Sequence, residues 1–332
     1  MNTNGIVDVL NALPISKLIS TVSAGIGKLY EPMHIKRIAK AKTEEIKLIS
    51  GAMEECAVIP TQYNNGNLSL TNIDWDDFVR RTQGRMAFQE LQKQNNIECV
   101  VAKAYNILEN EQTCSKEPVD QGWVNRFFDS VADVSDEDLQ KLWGKVLAGE
   151  IKQPKSYSLR TLETLKNLSK HEAELFQKII PYVLSLGGSL FLSSNNGLLE
   201  KYGIMYGEII ALDECGLINS GGLVSLSPLV SYTKPVAIYN RSKLVMLHGL
   251  EPNEVKISIG EFGLTRAGKE LFHILDCNFN DEYIYDFAEE TAKHNSQKIK
   301  VTVHKINYIN SDKINYDDRV LREFPVKDES ST

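Results

Sequence analysis

His273 and Cys277 are the two side chains with the clearest metal-ligand chemistry. They lie four residues apart on a predicted helix, a spacing that lets both side chains face one ion. A closed metal site needs further ligands, and the neighbouring sequence suggests none. The sequence therefore favours a packed or half-exposed pair, and we predict no metal and no cofactor.

A cluster of carboxylates, Asp74, Asp76 and Asp77, offers the hard oxygen ligands that divalent cations prefer. The same residues directly precede a long helical pattern from Phe78 to Leu108. Acidic side chains stabilise the positive end of a helix dipole. We expect the cluster to start a helix rather than to hold an ion.

The fragment "SAGIGK" at residues 23–28 has the small residues of a phosphate-binding loop. A Walker loop requires glycine at its first position and Ser or Thr after its lysine, whereas this chain has Val22 and Leu29 there. A phosphate-cradling turn with a magnesium ligand is therefore not expected. Small residues where two helices approach closely explain the fragment better.

The stretch "LWGKVLAGEIKQPKSYSLRTLETL" at residues 142–165 joins two apolar helical patterns through a polar bridge. Pro154 stops the first helix, and Leu159 begins the next apolar stripe. Glu150 and Arg160 flank the bridge and could form an ion pair or contact a ligand, and the ion pair is favoured. Because the chain has no G-x-S-x-G turn and no Ser or Cys with a recognisable His partner, no catalytic residue is predicted. We interpret the bridge as a rigid elbow.

Apolar residues at helical spacing predict an amphipathic helix at the N-terminus. Its apolar face could lie on a membrane surface or pack against the next helix, and packing is favoured. The face consists of Ile15, Leu18, Val22, Ile26 and Leu29. A second helical pattern follows it, with a candidate basic contact formed by Lys36, Arg37 and Lys40. The stretch "TQYNNGNLSLTN", residues 61–72, is rich in Asn and Gly and predicts a linker.

Two capping signatures mark helix starts in the middle of the chain. Ser135 with Asp138, and Ser169 with Glu172, have the spacing of a capping box. Helical periodicity continues up to the double glycine Gly187–Gly188. We therefore predict an all-helical region that ends at this boundary.

Beyond the double glycine, short strand patterns alternate with helices in the order expected of a winged-helix-like α+β unit. Winged helices often bind DNA, so the predicted helix at residues 202–215 was tested for positive charge. It carries acidic residues without one Lys or Arg, which disfavours entry into a DNA groove. Lys234, Arg241 and Lys243 could still form a basic wing. A helix from Asp281 to His294, a strand and a polar tail complete the chain.

These patterns predict an α+β chain that is mostly α, with a helical N-terminal region followed by a winged-helix-like α+β domain. The predicted organisation is N-terminal amphipathic helices at 1–60, a linker at 61–72, a helical domain at 73–188, the winged-helix-like domain at 189–297, and a C-terminal strand and polar tail at 298–332.

The composition is that of a globular protein, with 332 residues of which 42% are hydrophobic and 24% charged. Five cysteines without a C-x-x-C pair fit a reducing compartment. No signal peptide is evident, and no apolar run approaches the ~20 residues that span a bilayer. A net charge of −7 argues against a surface that attracts nucleic acid everywhere. We expect a cytoplasmic location, with peripheral attachment to the inner membrane as the alternative.

Several blocks of the sequence resemble the bacterial domain-of-unknown-function family 2806. They include "IGKLYEPMHIKRIAKAKTEE", "WVNRFFDSVADVSDED", "LDECGLI" and "FGLTRAGKEL". The resemblance covers most of residues 20–280 and is most specific from Trp123 to Phe176. No established reaction comes with this family, so it implies no catalytic residue. The layout is more loosely similar to the abortive-infection Abi-alpha group, which implies a setting in antiphage defence.

The leading hypothesis is a non-enzymatic protein that acts through protein–protein contacts, in bacterial antiphage defence or a stress response. A protein partner or a second copy of the chain is expected, and no small-molecule substrate is identified. The first alternative is a winged-helix DNA-binding regulator, although nucleic acid is disfavoured as a partner. The second is a membrane-acting effector that uses the N-terminal amphipathic helices.

Overall fold

The chain divides into two compact units, residues 1–162 and residues 163–332. The computed structural model describes residues 14–26, 62–64, 67–69, 75–193, 197–221, 226–260, 262–275, 278–295, 298–310 and 313–324. The α+β class and the helical N-terminal region that the sequence predicts are confirmed. The predicted domain boundaries stay predictions.

The first unit contains helices and one small hairpin. Its elements are α1 (Pro14–Ile26), β1 (Gln62–Asn64), β2 (Asn67–Ser69), α2 (Trp75–Leu108), α3 (Gln121–Val131) and α4 (Glu137–Lys152), followed by the start of α5 (Leu159–Asn167). Aromatic rings form the centre of its core. Phe127 stacks on Trp123 at 5.0 Å between centroids and meets Trp143 edge-on at 5.4 Å.

The close approach of α1 to α3 explains part of the fragment "SAGIGK". An ideal Cβ on Gly25 would clash with the ring of Phe128 and lie 2.8 Å from a methyl carbon of Val124. Only glycine therefore allows the two helices to pack at this distance. The prediction of small residues at a helix contact is confirmed for Gly25.

Helix α2 is continuous through Gly84, which lies exposed on it and costs only glycine's lower helix propensity. One prediction for the first unit, the cap of α4, needs correction. The cap of α4 is Asp136 rather than Ser135, and its carboxylate accepts the backbone N–H groups of Asp138 and Leu139. The hairpin β1–β2 lies within the stretch predicted as a linker, whose bounds stay a prediction.

The second unit combines an antiparallel sheet with helices. Its elements after α5 are α6 (Lys170–Ile179), a 3₁₀ turn (Ile180–Tyr182), β3 (Leu184–Leu186), β4 (Ser189–Leu192), α7 (Leu198–Lys201), α8 (Tyr206–Glu214), β5 (Ile218–Asn219), β6 (Leu229–Val230), β7 (Val236–Tyr239), β8 (Lys243–Gly249), β9 (Val255–Lys256), β10 (Phe262–Leu264), α9 (Arg266–Phe272), α10 (Asp281–His294), β11 (Ile299–Asn310) and β12 (Lys313–Phe324). The predicted capping box of Ser169 and Glu172 begins α6 and is confirmed. Helix α10 has the predicted bounds.

Eight of the described strands form the main sheet, in the order β12-β11-β8-β7-β3-β4-β10-β5. Every neighbouring pair is antiparallel. Helix α10 packs on this sheet through Ile284, Phe287 and Ala288, which are fully buried together with Val301 and Val303 of β11. The described part of β6 pairs with β9 in a separate ladder.

The edges of the main sheet are both irregular. Strand β5 is only two residues long. At the other edge, the pairing of β12 with β11 shifts register between Val303 and His304, and again before Ile306 and Tyr308. Such bulges bend an edge strand and interrupt its ladder of hydrogen bonds.

Two predictions for the second unit are wrong. Residues 184–186 form β3 rather than helix, because Pro181 stops the α-helix and the glycines at 187 and 188 adopt positive φ angles of 53° and 81°. These angles suit a tight hairpin turn, so the double glycine joins β3 to β4. In the predicted polar tail, residues 313–324 form the strand β12.

Candidate functional site

The elbow between α4 and α5 is held by the buried carboxylate of Glu150, which is 1% exposed. Its two oxygens accept the backbone N–H groups of Lys155 at 2.6 Å and Tyr157 at 3.0 Å. Lys155 has a positive φ of 70°, a conformation that costs free energy for a side chain with a Cβ. Pro154 is buried beside it. The carboxylate thus stabilises a strained turn.

The contacts of the elbow are those of a structural corner. The carbonyl oxygen of Tyr157 accepts the indole N–H of Trp123 at 2.9 Å, which ties the bridge to α3. Arg160 lies exposed on α5, while both oxygens of the Glu150 carboxylate accept backbone N–H groups of the bridge. Near the elbow, burial lowers the pKa of Lys17. The charges of Cys114 and Glu150 oppose this decrease.

The predicted apolar face of the N-terminal helix lies mostly inside the first unit. Leu18 and Val22 are fully buried, and Ile15 and Ile26 are half-buried. Helix α1 contacts α2, α3 and α4. Membrane insertion would therefore require α1 to leave its packed position. The remaining predicted contacts here, Leu29, Lys36, Arg37 and Lys40, lie outside the described residues.

The predicted basic wing is largely neutralised. Lys234 forms an ion pair with Glu254 at 2.6 Å. Lys243 forms an ion pair with Asp281. Hydrogen bonds from Lys243 and Ser242 lower the pKa of Asp281, although burial opposes them. Two of the three candidate phosphate contacts are thus already engaged.

The third candidate phosphate contact, Arg241, lines a cavity of about 430 Å³ in the second unit. Its guanidinium lies over the ring of Phe272 at 5.5 Å and over that of Phe279 at 5.8 Å. The cavity is lined by Val183, Ser185, Leu190, Tyr239, Asn240, Arg241, Phe272, His273, Phe279 and Ile309. This is a mainly apolar, aromatic lining with one guanidinium in it.

The turn that carries Arg241 is rigid. The side-chain oxygen of Asn240, a buried residue, accepts the backbone N–H groups of Ser242 at 2.8 Å and Lys243 at 2.7 Å, and also the Ser242 hydroxyl at 3.1 Å. The same hydroxyl lies 2.7 Å from a carboxylate oxygen of Asp281, so its single hydrogen is shared between Asn240 and Asp281. Arg241 is therefore presented by a fixed scaffold.

His273 and Phe279 complete the cavity from the other side. His273 follows α9, and burial together with the Arg241 charge lowers its pKa, which favours the neutral imidazole. Phe279 is fixed by its neighbour Asn280, whose backbone N–H donates to the Pro181 carbonyl at 3.2 Å. Cys277 lies outside the described residues. No cluster of three or more metal-ligating side chains occurs in the described parts of the chain.

Sequence reasoning missed this cavity. Arg241 was predicted as part of a basic wing, and His273 as half of a packed or half-exposed pair with Cys277. Asn240 could have been found, because Asn followed by a polar pair after a strand predicts an Asx turn. Phe272 and Phe279 gave no signal, since either ring fits an ordinary core position.

The start of α8 exposes two large apolar side chains. Tyr206 is 61% exposed and Met205 is 55% exposed. The Tyr206 ring touches that of Phe262 at 6.4 Å between centroids, and the rest of its surface faces solvent. We call Met205 and Tyr206 the Tyr206 surface.

The first half of α2 is a second exposed region. Phe78, Val79, Met86 and Leu91 are each about half exposed along it. Asp77 forms ion pairs with Arg80 and Arg81 in the first turns, as expected for an acidic helix start. The second half, from Ile97 onward, is buried in the core of the first unit.

No helix among the described residues is long and apolar enough to cross a membrane.

The fold and its surfaces define an α+β chain of two compact units, with a pocket on the second. No curated protein and no solved structure matches it. The family model DUF2806, described as a protein of unknown function, matches residues 80–288. This match spans more than half of the sequence, and the chain belongs to the DUF2806 family.

Proposed function

We propose that this chain acts through contacts with another protein and that the Tyr206 surface is the contact region. The observation that carries the proposal is the exposure of Met205 and Tyr206 at the start of one helix. Tyr and Met are enriched in protein interfaces, where an amphipathic ring and an adaptable thioether supply large apolar contact areas.

The position of α8 supports this proposal. Along the chain, α6, β4, α7, α8, β5 and β10 occur in this order, with a 3₁₀ turn and β3 between α6 and β4 and the strands β6 to β9 between β5 and β10. The strands β4, β10 and β5 pair in the order β4–β10–β5. Apart from the additional strands, this order is similar to that of a winged helix. In our proposal α8 corresponds to the recognition helix, the element that carries contact residues in helix-turn-helix proteins.

The charges of α8 favour protein over DNA. The helix contains Glu208, Asp213 and Glu214 and has neither Lys nor Arg. Lys178 reaches α8 but forms an ion pair with Glu208 at 2.7 Å. A DNA-binding helix needs cations to replace the counterions of the phosphates. The proposed partner is a protein whose surface offers an apolar pocket for Tyr206 and a basic rim for the exposed carboxylate of Glu214.

Antiphage defence, with abortive infection as its mode, or a stress response is the biological setting that we propose. It follows from the resemblance to the Abi-alpha group and requires no catalytic residue. Plating efficiency of phages on cells with and without the protein tests the setting separately from the contact surface.

Photo-crosslinking from position 206 tests the contact itself. Benzoylphenylalanine replaces Tyr206 in the full-length protein inside cells, with the same substitution of the exposed Lys256 as the control. We expect a protein adduct from position 206 that is absent from position 256. The purified partner should then bind wild-type protein at least about tenfold more tightly than a Tyr206→Asp variant, a difference of ~1.4 kcal/mol.

Other adducts would contradict the proposal. A nuclease-sensitive adduct, supported by gel shifts that weaken as salt rises, would favour the DNA-binding regulator. A lipid adduct, supported by flotation with anionic liposomes, would favour the membrane-acting effector. Equal yields from both positions would show that Tyr206 contacts nothing specific.

A further inference from the structure

We propose that the cavity beside Arg241 binds a small anion that carries an aromatic ring. The carboxylate or phosphate of the ligand contacts the Arg241 guanidinium, and its ring lies among the side chains of Tyr239 and Phe279. This site is separate from the Tyr206 surface.

The size and lining of the cavity suit such a ligand. A volume of about 430 Å³ lies in the range of small-molecule sites. Aromatic and aliphatic side chains provide most of the wall, and few polar groups converge on it. A site of this composition holds an apolar body and orients it through one or two polar contacts.

The guanidinium of Arg241 is available for an anion. Phe272 and Phe279 lie against it, so ring contacts fix its orientation. In the part of the chain that the structure describes, no carboxylate lies within ion-pair distance of Arg241, and the nearby Asp281 pairs with Lys243. The planar fork of N–H donors then matches a carboxylate or phosphate in two-point fashion.

The polar donors are held in place before any ligand arrives. The side-chain oxygen of Asn240 accepts the hydrogen bonds of the turn, and Asn240 also lines the cavity, so in this proposal its NH₂ group is the second donor to the ligand. The neutral imidazole of His273 adds a polar edge beside Arg241 without a competing charge. Pre-organised donors reduce the entropy lost on binding.

Matched probes test the two halves of the proposed ligand. Isothermal titration calorimetry of the full-length protein uses phenyl phosphate and benzoate, and compares them with phenol and inorganic phosphate. We expect at least one ring-bearing anion to bind at least about tenfold more tightly than phenol and inorganic phosphate. The preferred head group distinguishes a carboxylate ligand from a phosphate ligand.

Variants assign the binding to this cavity. Arg241→Gln is expected to weaken the ring-bearing anion at least about tenfold, or ~1.4 kcal/mol, and Phe279→Leu to weaken it less. Arg241→Lys keeps the charge without the planar fork and should fall between wild type and Arg241→Gln. The control is Lys305→Gln, which removes one exposed positive charge outside the cavity. Melting curves of all variants identify any that fail to fold.

The proposal is overturned if none of the four probes binds at about 10 mM, a concentration about tenfold above a Kd of 1 mM. If inorganic phosphate and phenyl phosphate bound equally tightly, the ring would not contribute to binding. If phenol bound as tightly as the ring-bearing anions, the anionic group would not contribute. Unchanged affinity in folded Arg241→Gln or Arg241→Lys would place the site elsewhere. Crosslinking from position 206 does not enter into any of these outcomes.

Discussion

Tyr157 donates its backbone N–H to the carboxylate of Glu150 at 3.0 Å, and both residues are buried. The second oxygen of Glu150 holds the left-handed Lys155. One side chain therefore satisfies two amides that the bridge between α4 and α5 would otherwise leave without acceptors. This relationship explains why the elbow keeps its shape.

Glu150→Gln should destabilise the first unit by about 1–3 kcal/mol, because an NH₂ group would face a buried N–H donor. Urea unfolding followed by tryptophan fluorescence measures the change, since all three tryptophans lie within residues 1–162. Glu90→Gln breaks an exposed ion pair with Lys93 and should change the free energy of unfolding by no more than about 0.5 kcal/mol. Equal effects of the two variants would argue against a structural role for Glu150.

Pro154→Ala should lower the melting temperature while leaving the Tyr206 surface intact. The substitution gives the unfolded chain more freedom, worth about 0.4–1 kcal/mol, and also removes buried contacts. Each kcal/mol corresponds to about 2–4 °C for a unit of this size. Calorimetry and the crosslinking yield at position 206 are compared. An unchanged melting curve with lost crosslinking would show that the elbow has a functional rather than a structural role.

Gly25→Ala should destabilise the first unit by about 1–3 kcal/mol, because the new methyl group overlaps the Phe128 ring. Gly84→Ala provides the opposite case. It adds the same methyl group to an open site of α2 and should stabilise the helix by up to about 1 kcal/mol. Urea unfolding of both variants under the same conditions gives the comparison, and the same sign for both would contradict the described packing.

Asp281→Asn should reduce the acid sensitivity of α10. The folded-state pKa of Asp281 is lowered from 3.8. The contribution of its carboxylate to the free energy of unfolding is therefore fully present above pH 3.8, and it is lost as the pH falls through the folded-state pKa. Hydrogen exchange of α10, compared between about pH 5 and pH 3, measures this local stability. Asp318→Asn, at an exposed position of β12, is the control for loss of one charge. If hydrogen exchange of α10 depended on pH in the same way in wild type and Asp281→Asn, the ion pair of Asp281 with Lys243 would not be the cause of the acid sensitivity.

Local signals in the sequence predicted much of the helical structure. The capping box of Ser169 and the bounds of α10 depend on residues within a few positions of each other. The strand β3 was missed because its apolar residues continue the spacing of α6, and only the pairing with β4 decides between the two structures. Strand β12 was missed for a different reason: it is an exposed edge strand, and its polar sequence is also typical of a tail without secondary structure.

The candidate site depends on contacts between distant parts of the chain. Arg241 meets Phe272 and Phe279, which follow it by more than 30 residues. No local sequence pattern predicts a contact between residues so far apart in the chain. The turn at Asn240 is predictable from its own residues, whereas the cavity appears only when the sheet and α9 bring the rings together. The Tyr206 surface was also missed, because burial cannot be read from a single apolar residue.

The irregular borders of the main sheet have a consequence for behaviour at high concentration. Strand β5 is too short to recruit a strand from another molecule, and the bulges of β12 misalign its outer amides and carbonyls. Charged residues along β12 further oppose stacking of identical copies. The folded protein is therefore expected to resist fibril growth through these borders, even when it accumulates in the cell.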